Sequence, residues 1–486
     1  MHDLDGLQLQ NFRAFKDTGY VEIRPLTVII GRNSAGKSSL LRLFPLLSQS
    51  AATRTSSPLL WNGALVDFGE FGDVVFAHDK SSVVSLSFSF KPSNEPRLFL
   101  VENENYGITI ELVSTSNDRT ELRSISIIAS DECQAEITFE QNKIQKVTIN
   151  GADFPGIFRS HSISSAFLPV IMIDHRRQQL VHDTLLDTQW LFHGRTSRQK
   201  KIDVLANLPC GNRSILKARI LEKCGNWTKR AIADIEIDAL KMIRLQRRLF
   251  AHRLPEVAIY VNDALTELAE NTAYKGPFRA PAQRFYRKQD LEVGSVDPKG
   301  ENFAMFFDAL GDASQKDFRN WTKKNFGFSI NTKRLPGHVS IFIDDGRSKK
   351  QNLADVGFGY AQMLPLIAEI WQKNYQKRRF NRRSKQRITI EQPELHLHPA
   401  LQAAMAKTIT ATVENNLADF IIETHSRTII DAIAFEIEDG NLSSEKVQIF
   451  VVEPIAAGSS IRVVTINELG ELENWPFGFF DAFLGD

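Results

Sequence analysis

Cysteine is nearly absent: Cys133, Cys210 and Cys224 are the only three in 486 residues, an odd number with no C-x-x-C pair. This excludes a disulfide framework and a cysteine zinc site, and leaves the three as small packed hydrophobes in a reducing compartment. Charge of one sign is lacking as well. Lys+Arg 59 against Asp+Glu 58 gives a net charge of +1, so no global positive field draws the chain to polyanions, and any nucleic-acid contact must come from a local patch. Long apolar runs are missing too: the longest uncharged one, around Ile163 to Ile173, is too short to cross a bilayer. The opening MHDLDGLQLQ carries two aspartates where a secretion signal wants basic residues. A cytoplasmic protein without membrane contact is expected. No internal repeat and no low-complexity segment is present. With 24% charged and 42% hydrophobic residues in 55.0 kDa, the composition is that of a globular chain of two or three lobes.

Hydrophobic patterning then divides the chain. Leu7, Leu9 and Phe12 begin a short alternation, and Leu26 to Ile30 is a near-continuous apolar run, as a strand buried on both faces requires. Between residues 82 and 170, SSVVSLSFSF, RLFLVENENYGITIELV, ELRSISIIAS and AEITFEQNKIQKVTI alternate between Asn, Ser, Asp and Gly punctuation. They predict an antiparallel meander. From about 183 to 272 the period becomes helical, with Ile232, Ile235, Ala239, Met242 and Leu249 at three- and four-residue intervals and Gln246 interrupting the seam. Two or three heptads predict a short hairpin and not a long arm. After Gly276 and Pro277 the chain reads as irregular. From Val356 it alternates helix and strand, with strands expected at Ile388 to Ile390, Phe420 to Glu423 and Val447 to Val452.

The strongest chemical signal is Gly31-Arg-Asn-Ser-Ala-Gly-Lys-Ser38, a match to G-x-x-x-x-G-K-[ST] placed directly after the buried strand and before a helical pattern from Ser39. Glycines let backbone amides of Asn33, Ser34, Ala35, Gly36 and Ser39 turn toward phosphates, Lys37 adds positive charge, and the Ser38 hydroxyl is placed to ligate magnesium. Far downstream, Arg387-Ile-Thr-Ile-Glu391-Gln392-Pro393-Glu394 ends an apolar strand in carboxylates. That is the pattern of a Walker B segment, with Glu391 as the second magnesium partner.

Three further pieces carry a family resemblance. Asp355-Val-Gly-Phe-Gly-Tyr-Ala-Gln362 resembles the signature loop of ATP-binding-cassette ATPases, Leu395-His-Leu-His-Pro399 their D-loop region, and Glu423-Thr-His-Ser426 their switch-histidine loop. The whole is similar to the RecF, SMC and OLD (overcoming-lysogenization-defect) branch of ABC-type AAA ATPases, as is the opening LQLQNFRAFKD. The resemblance covers residues 1 to 80 and 353 to 466, and more weakly Tyr274-Lys-Gly-Pro-Phe-Arg279 and Gly300-Glu-Asn302. Together with the tail Glu473-Asn-Trp-Pro-Phe-Gly-Phe-Phe-Asp481, the motifs resemble ATPase subunits of anti-phage systems such as PARIS and Septu.

The resemblance implies an α/β ABC/SMC-like ATPase head. Its Walker A half spans 1–80, a β-rich subdomain 81–175, a short coiled-coil-like helical insertion 176–272, and the second half of the head 273–486. It implies ATP and magnesium as cofactors and a homodimer or higher oligomer in which Gly357, Gly359 and Gln362 of one chain meet the nucleotide of another. It further implies a separate effector protein and a phage protein as trigger. A RecF-like DNA-repair ATPase is the alternative. Relatives of this branch carry a C-terminal nuclease, but only 60 residues follow Ser426, fewer than the roughly 100 such a domain needs.

One departure bears on the chemistry. The family usually has Asp-Glu where this chain has Glu391-Gln392, so the expected general base is a neutral amide, which orients water without taking its proton. Either Glu391 ligates magnesium while Glu394 or His425 assists the water, or binding matters more than turnover. Slow hydrolysis is expected. Residues 373 to 387, KNYQKRRFNRRSKQR, read either as a patch for nucleic acid or an acidic partner, or as a solvated helix end. His396 and His398, without a third His or a Cys nearby, read as packing or D-loop residues ahead of metal ligands. Trp475, Phe477, Phe479 and Phe480 read as a docked tail or a partner hook.

Overall fold

The computed structural model describes residues 2–53, 57–91, 97, 99–100, 104–115, 118–161, 167–174, 176–288, 293–346, 349–380 and 386–476. The chain divides into two units, Met1–Glu22 with Leu46–Glu270, and Ile23–Pro45 with Asn271–Asp486. Among the described residues no helix is long and apolar enough to cross a membrane.

The first unit is built on antiparallel alternation. Its nine-stranded sheet runs in the order Ala152–Asp153, Lys143–Ile149, Cys133–Glu140, Thr120–Ser130, Tyr106–Ser114, Val84–Phe90, Leu4–Phe12, Phe15–Asp17, with Val21–Glu22 also on Leu4–Phe12. The meander is present, and the N-terminal strand pairs with it. Register puts Leu7, Phe88, Ile108, Ile127, Ala135 and Ile149 in one row across six strands, and every one of them is buried. Alternate residues share a face, so this row marks the inward face in its neighbourhood, until the register shifts at Glu111/Leu112, Ile128/Ser130 and Thr138/Phe139. Leu240–Glu270, a 31-residue helix, contributes Leu249, Leu254, Val261 and Leu265 to the buried set. Cys133 and Cys210 are buried and all three cysteines are free.

The helical stretch is more divided than a hairpin. Arg177–Asp187, Arg198–Ala206, Arg213–Lys223 and Asn226–Ala233 precede the long helix. Ser197 and Asn212 cap new starts through Lys200 N and through Ser214 N and Ile215 N, as their short polar side chains favour. The periodic seam from Ile232 to Met242 crosses a break, where Ile235 N and Ala239 N close turns on Ile232 O and Glu236 O. Asp234 and Asp238 lie in that break, and short acids compete with helical backbone bonding.

The second unit has a seven-stranded sheet ordered Thr272–Lys275, Gln386–Glu391, Ala418–Glu423, Leu26–Gly31, Val447–Ile455, Gly458–Ile466, Leu472–Glu473. The first five strands are parallel and the last two antiparallel. Leu26–Gly31 and Ala418–Glu423 are buried at every position, which is why Leu26 to Ile30 reads as a near-continuous apolar run and Ala418–Glu423 has Phe420, Ile421 and Ile422 at its centre. The segment expected to be irregular after Pro277 instead contains helices Phe303–Ala309 and Asp312–Phe326 and a four-stranded antiparallel sheet. A two-residue turn at Pro336 and Gly337, with Gly337 at φ +74°, joins strands Ser329–Leu335 and His338–Asp344. Ser329–Leu335, with only Ile330 buried, leaves a weak periodic signal beside the more apolar His338–Asp344, and the turn glycine was the pair's clearest mark.

Candidate functional site

The chain enters the parallel sheet at Leu26–Gly31, moves to the far strand Thr272–Lys275, and returns through Gln386–Glu391 and Ala418–Glu423. It then passes over its starting strand to Val447–Ile455. Strand order therefore reverses about Leu26–Gly31, and ligands of open α/β sheets bind beyond the carboxyl ends of the strands at such a reversal. The G-x-x-x-x-G-K-S segment leaves the sheet at that end.

Its backbone demands glycine. Gly31 has φ +153°, and a Cβ there would stand 2.3 Å from Val452 O on the neighbouring strand. Gly36 has φ +98° and Ser34 φ +63°, so the loop folds over itself before helix Lys37–Ala52 begins. A helix N-terminus presents unbonded N–H groups and the positive end of the dipole, which suits an anion. Lys37 is 4% exposed and donates to Arg32 O at 2.7 Å. Burial lowers the pKa of its amine, partly offset by Glu423.

Two carboxylates close the floor. Glu391 and Glu423 are register partners on adjacent strands, and both are buried. Ser38 Oγ donates to Glu423 Oε1 at 3.1 Å, while Glu423 Oε2 is buried without a hydrogen-bond partner. Glu391 is saturated: Arg42 donates through Nε at 2.7 Å to Oε1 and through Nη2 at 2.8 Å to Oε2, and Tyr274 Oη donates to Oε1 at 2.6 Å. Sequence reasoning paired Ser38 with Glu391; the structure sets Glu423 beside Ser38.

Behind Glu391 lies Arg279, 4% exposed. Its Nη2 donates to Glu391 O at 2.9 Å, and its Nε and Nη1 have no partner. Burial brings its pKa down to about 10 against the pull of Glu394, Tyr274 and Glu391. Arg42, Tyr274 and Arg279 were not among the sequence candidates for the site. The sequence marks only the Tyr274 to Arg279 stretch, as a weak part of the resemblance.

Past the strand ends, Glu394 holds the next loop. It accepts Thr424 Oγ1 at 2.8 Å and His425 N at 2.7 Å, which fixes the backbone of the exposed His425 on Glu394. Desolvation and then Lys37 lower the pKa of His425, and Glu394 opposes them. Gln392, at φ +46°, donates its backbone N–H to Glu423 O at 2.8 Å. His398 caps helix Pro399–Glu414 through Nδ1, accepting from Ala400 N at 3.3 Å. His396 meets the ring of Phe358 edge-on at 5.0 Å. Among the described residues no group of three or more His, Cys, Asp and Glu could hold a metal ion.

The Asp355 to Gln362 segment leads into helix Phe358–Phe380. Gly357 has open space around it, whereas a Cβ on Gly359 would stand 2.5 Å from His396 O. Gln362 is buried and donates to Arg279 O at 3.0 Å. In the basic segment, Lys373 pairs with buried Glu369 at 3.1 Å and Arg387 with Asp419 at 3.5 Å. Residues 381–385, with Arg382 and Arg383, lie outside the described residues, as do the side chains of Lys377, Arg378 and Arg379. Trp475 packs against the core, and Phe477, Phe479 and Phe480 lie outside the described residues.

No curated protein matches the sequence significantly. Among solved structures, the chain is similar to the Smc head domain with an extended coiled coil bound to the C-terminal domain of ScpA from Pyrococcus furiosus. That match has 14% identity, TM-score 0.40, and coverage of 96% of this chain and 97% of that one. It is also similar to the SMC head domain from Thermotoga maritima, at 11% identity, TM-score 0.37, and 95% and 98% coverage. Residues 442–486 match a family described as "Protein of unknown function (DUF3696)". Residues 3–153 and 256–430, about two thirds of the sequence, match the AAA ATPase domain family, and the chain belongs to it.

Proposed function

We propose that this protein binds ATP with magnesium at the Gly31–Ser38 loop, hydrolyses it slowly, and serves as the cytoplasmic sensor or scaffold subunit of a bacterial anti-phage system that controls a separate toxic effector. The observation that carries the nucleotide reading is the convergence of a glycine-dependent loop, a buried lysine and strand-end carboxylates where the parallel sheet reverses order. Lys37 and the backbone N–H groups of residues 33–39 hold the phosphates. Ser38 and a strand-end glutamate would hold magnesium, which when bound neutralises charge on the transferring phosphoryl group. Gln392 orients the attacking water, and His425, positioned by the bond from its N–H to Glu394, faces the same loop. A neutral amide in place of a carboxylate base supports slow turnover. The defence role rests on the resemblance of the motifs to anti-phage ATPase subunits.

Lys37→Ala removes the cation at the phosphates and should abolish ATP binding and turnover. It should also abolish plaque reduction in bacteria expressing the chain with its neighbouring gene. Unaltered nucleotide affinity in that variant would refute the loop assignment, and wild-type plating efficiency equal to an empty control would refute the defence role. We further propose a homodimer with signature loops acting in trans. Once subunit exchange is established, a Lys37→Ala chain mixed with a Gly357→Glu chain should regain part of the lost turnover. Gly357 is the suitable position because its surroundings are open, whereas a side chain on Gly359 would collide with His396 O. Zero recovery at every mixing ratio would argue for independent protomers.

A further inference from the structure

We propose that Glu423 is the carboxylate that shares the magnesium site with Ser38, and that Glu391 instead serves as the fixed counter-ion of Arg42. This rests on the nucleotide reading above and assigns a residue within that site.

Three observations and one property of magnesium carry it. First, Ser38 Oγ lies 3.1 Å from Glu423 Oε1, a contact between positions 385 residues apart. A hydroxyl and a carboxylate oxygen at that spacing can both reach one cation or its waters. Second, Glu423 is 4% exposed and its Oε2 is buried with no hydrogen-bond partner. A buried carboxylate oxygen left bare is costly, and such an atom calls for a ligand to explain it. Third, Glu391 has little to offer a cation. Both of its oxygens accept from Arg42, and Tyr274 Oη adds a third bond. Ligation would mean breaking a paired guanidinium contact at a carboxylate only 2% exposed, and an interior ion pair is expensive to break. Fourth, magnesium takes oxygen ligands and is held in phosphate-transfer sites by one or two protein groups with the phosphates supplying others. Ser38 and Glu423 make such a pair.

The strand order makes this possible. Ala418–Glu423 stands between Gln386–Glu391 and Leu26–Gly31, so the strand-end residue next to the phosphate loop is Glu423, with Glu391 one strand further out. The same spacing lets Arg42, on the first turns of helix Lys37–Ala52, reach Glu391. That bond ties the nucleotide helix to the Walker B strand.

The test uses the full chain and a fluorescent ATP analogue, titrated in Mg2+ and in EDTA. In the wild type, Mg2+ should tighten binding. Glu423→Gln should lose about 10-fold or more of that Mg2+ enhancement while affinity in EDTA does not fall, and Glu391→Gln should keep the enhancement. A Glu423→Gln chain with full enhancement, or loss of it in Glu391→Gln alone, would overturn the assignment. If Glu391→Gln does not fold, Mn2+ EPR of nucleotide complexes decides from the other two chains. A changed Mn2+ line shape in Glu423→Gln supports the assignment, and spectra identical to the wild type overturn it. A wild type that binds the analogue in neither condition overturns the nucleotide reading itself, and this assignment falls with it.

Discussion

Glu391 and Glu423 end neighbouring parallel strands in the same register, are buried alike, and have opposite surroundings. One is saturated by Arg42 and Tyr274; the other meets one serine hydroxyl and keeps an oxygen without a partner. A third buried carboxylate, Glu369, sides with the first: Lys275 at 3.0 Å and Lys373 at 3.1 Å enclose it. Saturated buried charges hold a fold together. An unsaturated one lowers stability, and it is retained where something must bind.

The largest expected effect is on a saturated carboxylate. Burial pushes Glu369 up, but Lys275 and Lys373 outweigh it and bring its pKa down to about 2. A carboxylate depressed in the folded state adds stability above its unfolded pKa and loses it as pH falls through the folded value. As pH falls from roughly 4.5 to 2, the protein should therefore lose on the order of 3 kcal/mol of stability through this group. Glu369→Gln should flatten that part of the stability curve, and an unchanged acid limb in chemical denaturation would show that the lysines do not hold it. Next comes Arg42→Ala, which leaves Glu391 without its guanidinium. We expect a loss of about 2–3 kcal/mol in denaturant melts, below that of a fully interior pair because Arg42 keeps contact with solvent. A loss near zero would remove the contrast between the two strand ends.

Gln392 stands between them, following Glu391 and bonded by its N–H to Glu423 O. Gln392→Glu should raise ATP turnover by about 10-fold by adding a base beside the phosphate loop. Steady-state phosphate release decides, and turnover that stays level or falls would refute the account of the slow site. The smallest effect is on Glu423 itself. Glu423→Gln replaces an unsatisfied buried charge, so the melting midpoint should be level or higher, a change within about 1 kcal/mol. A loss larger than that of Arg42→Ala would invert the comparison.

Much of the second unit was legible. Leu26 to Ile30, Ile388 to Ile390, Phe420 to Glu423 and Val447 to Val452 lie within observed strands, because a parallel strand buried on both faces is mostly apolar, with polar exceptions such as Thr27, Thr389 and Glu423. The meander was legible where its alternation is strict, as in Cys133–Glu140 with every second residue buried. The helical stretch was less so. Ile232, Ile235 and Met242 keep helical spacing across a break set by local capping and acidic residues, and periodicity does not register a break that preserves the phase. The sheet strands Ser329–Leu335 and His338–Asp344 were missed because exposed, charged residues such as Lys333 and Arg334 dilute the pattern.

By itself the sequence determined what is contiguous: a phosphate-loop motif whose glycines, lysine and serine lie within eight residues, and the strand and helix on either side of it. Local backbone geometry needs no distant partner, so it can be read from spacing alone. Only the tertiary structure decided which acid stands beside Ser38. Glu391 and Glu423 both end largely apolar strands and sit in different motifs, and which of them stands beside Ser38 emerges only when Ala418–Glu423 is placed next to Leu26–Gly31. Strand order is a property of how the sheet packs, and a contact spanning 385 positions leaves no mark in the residues near either end.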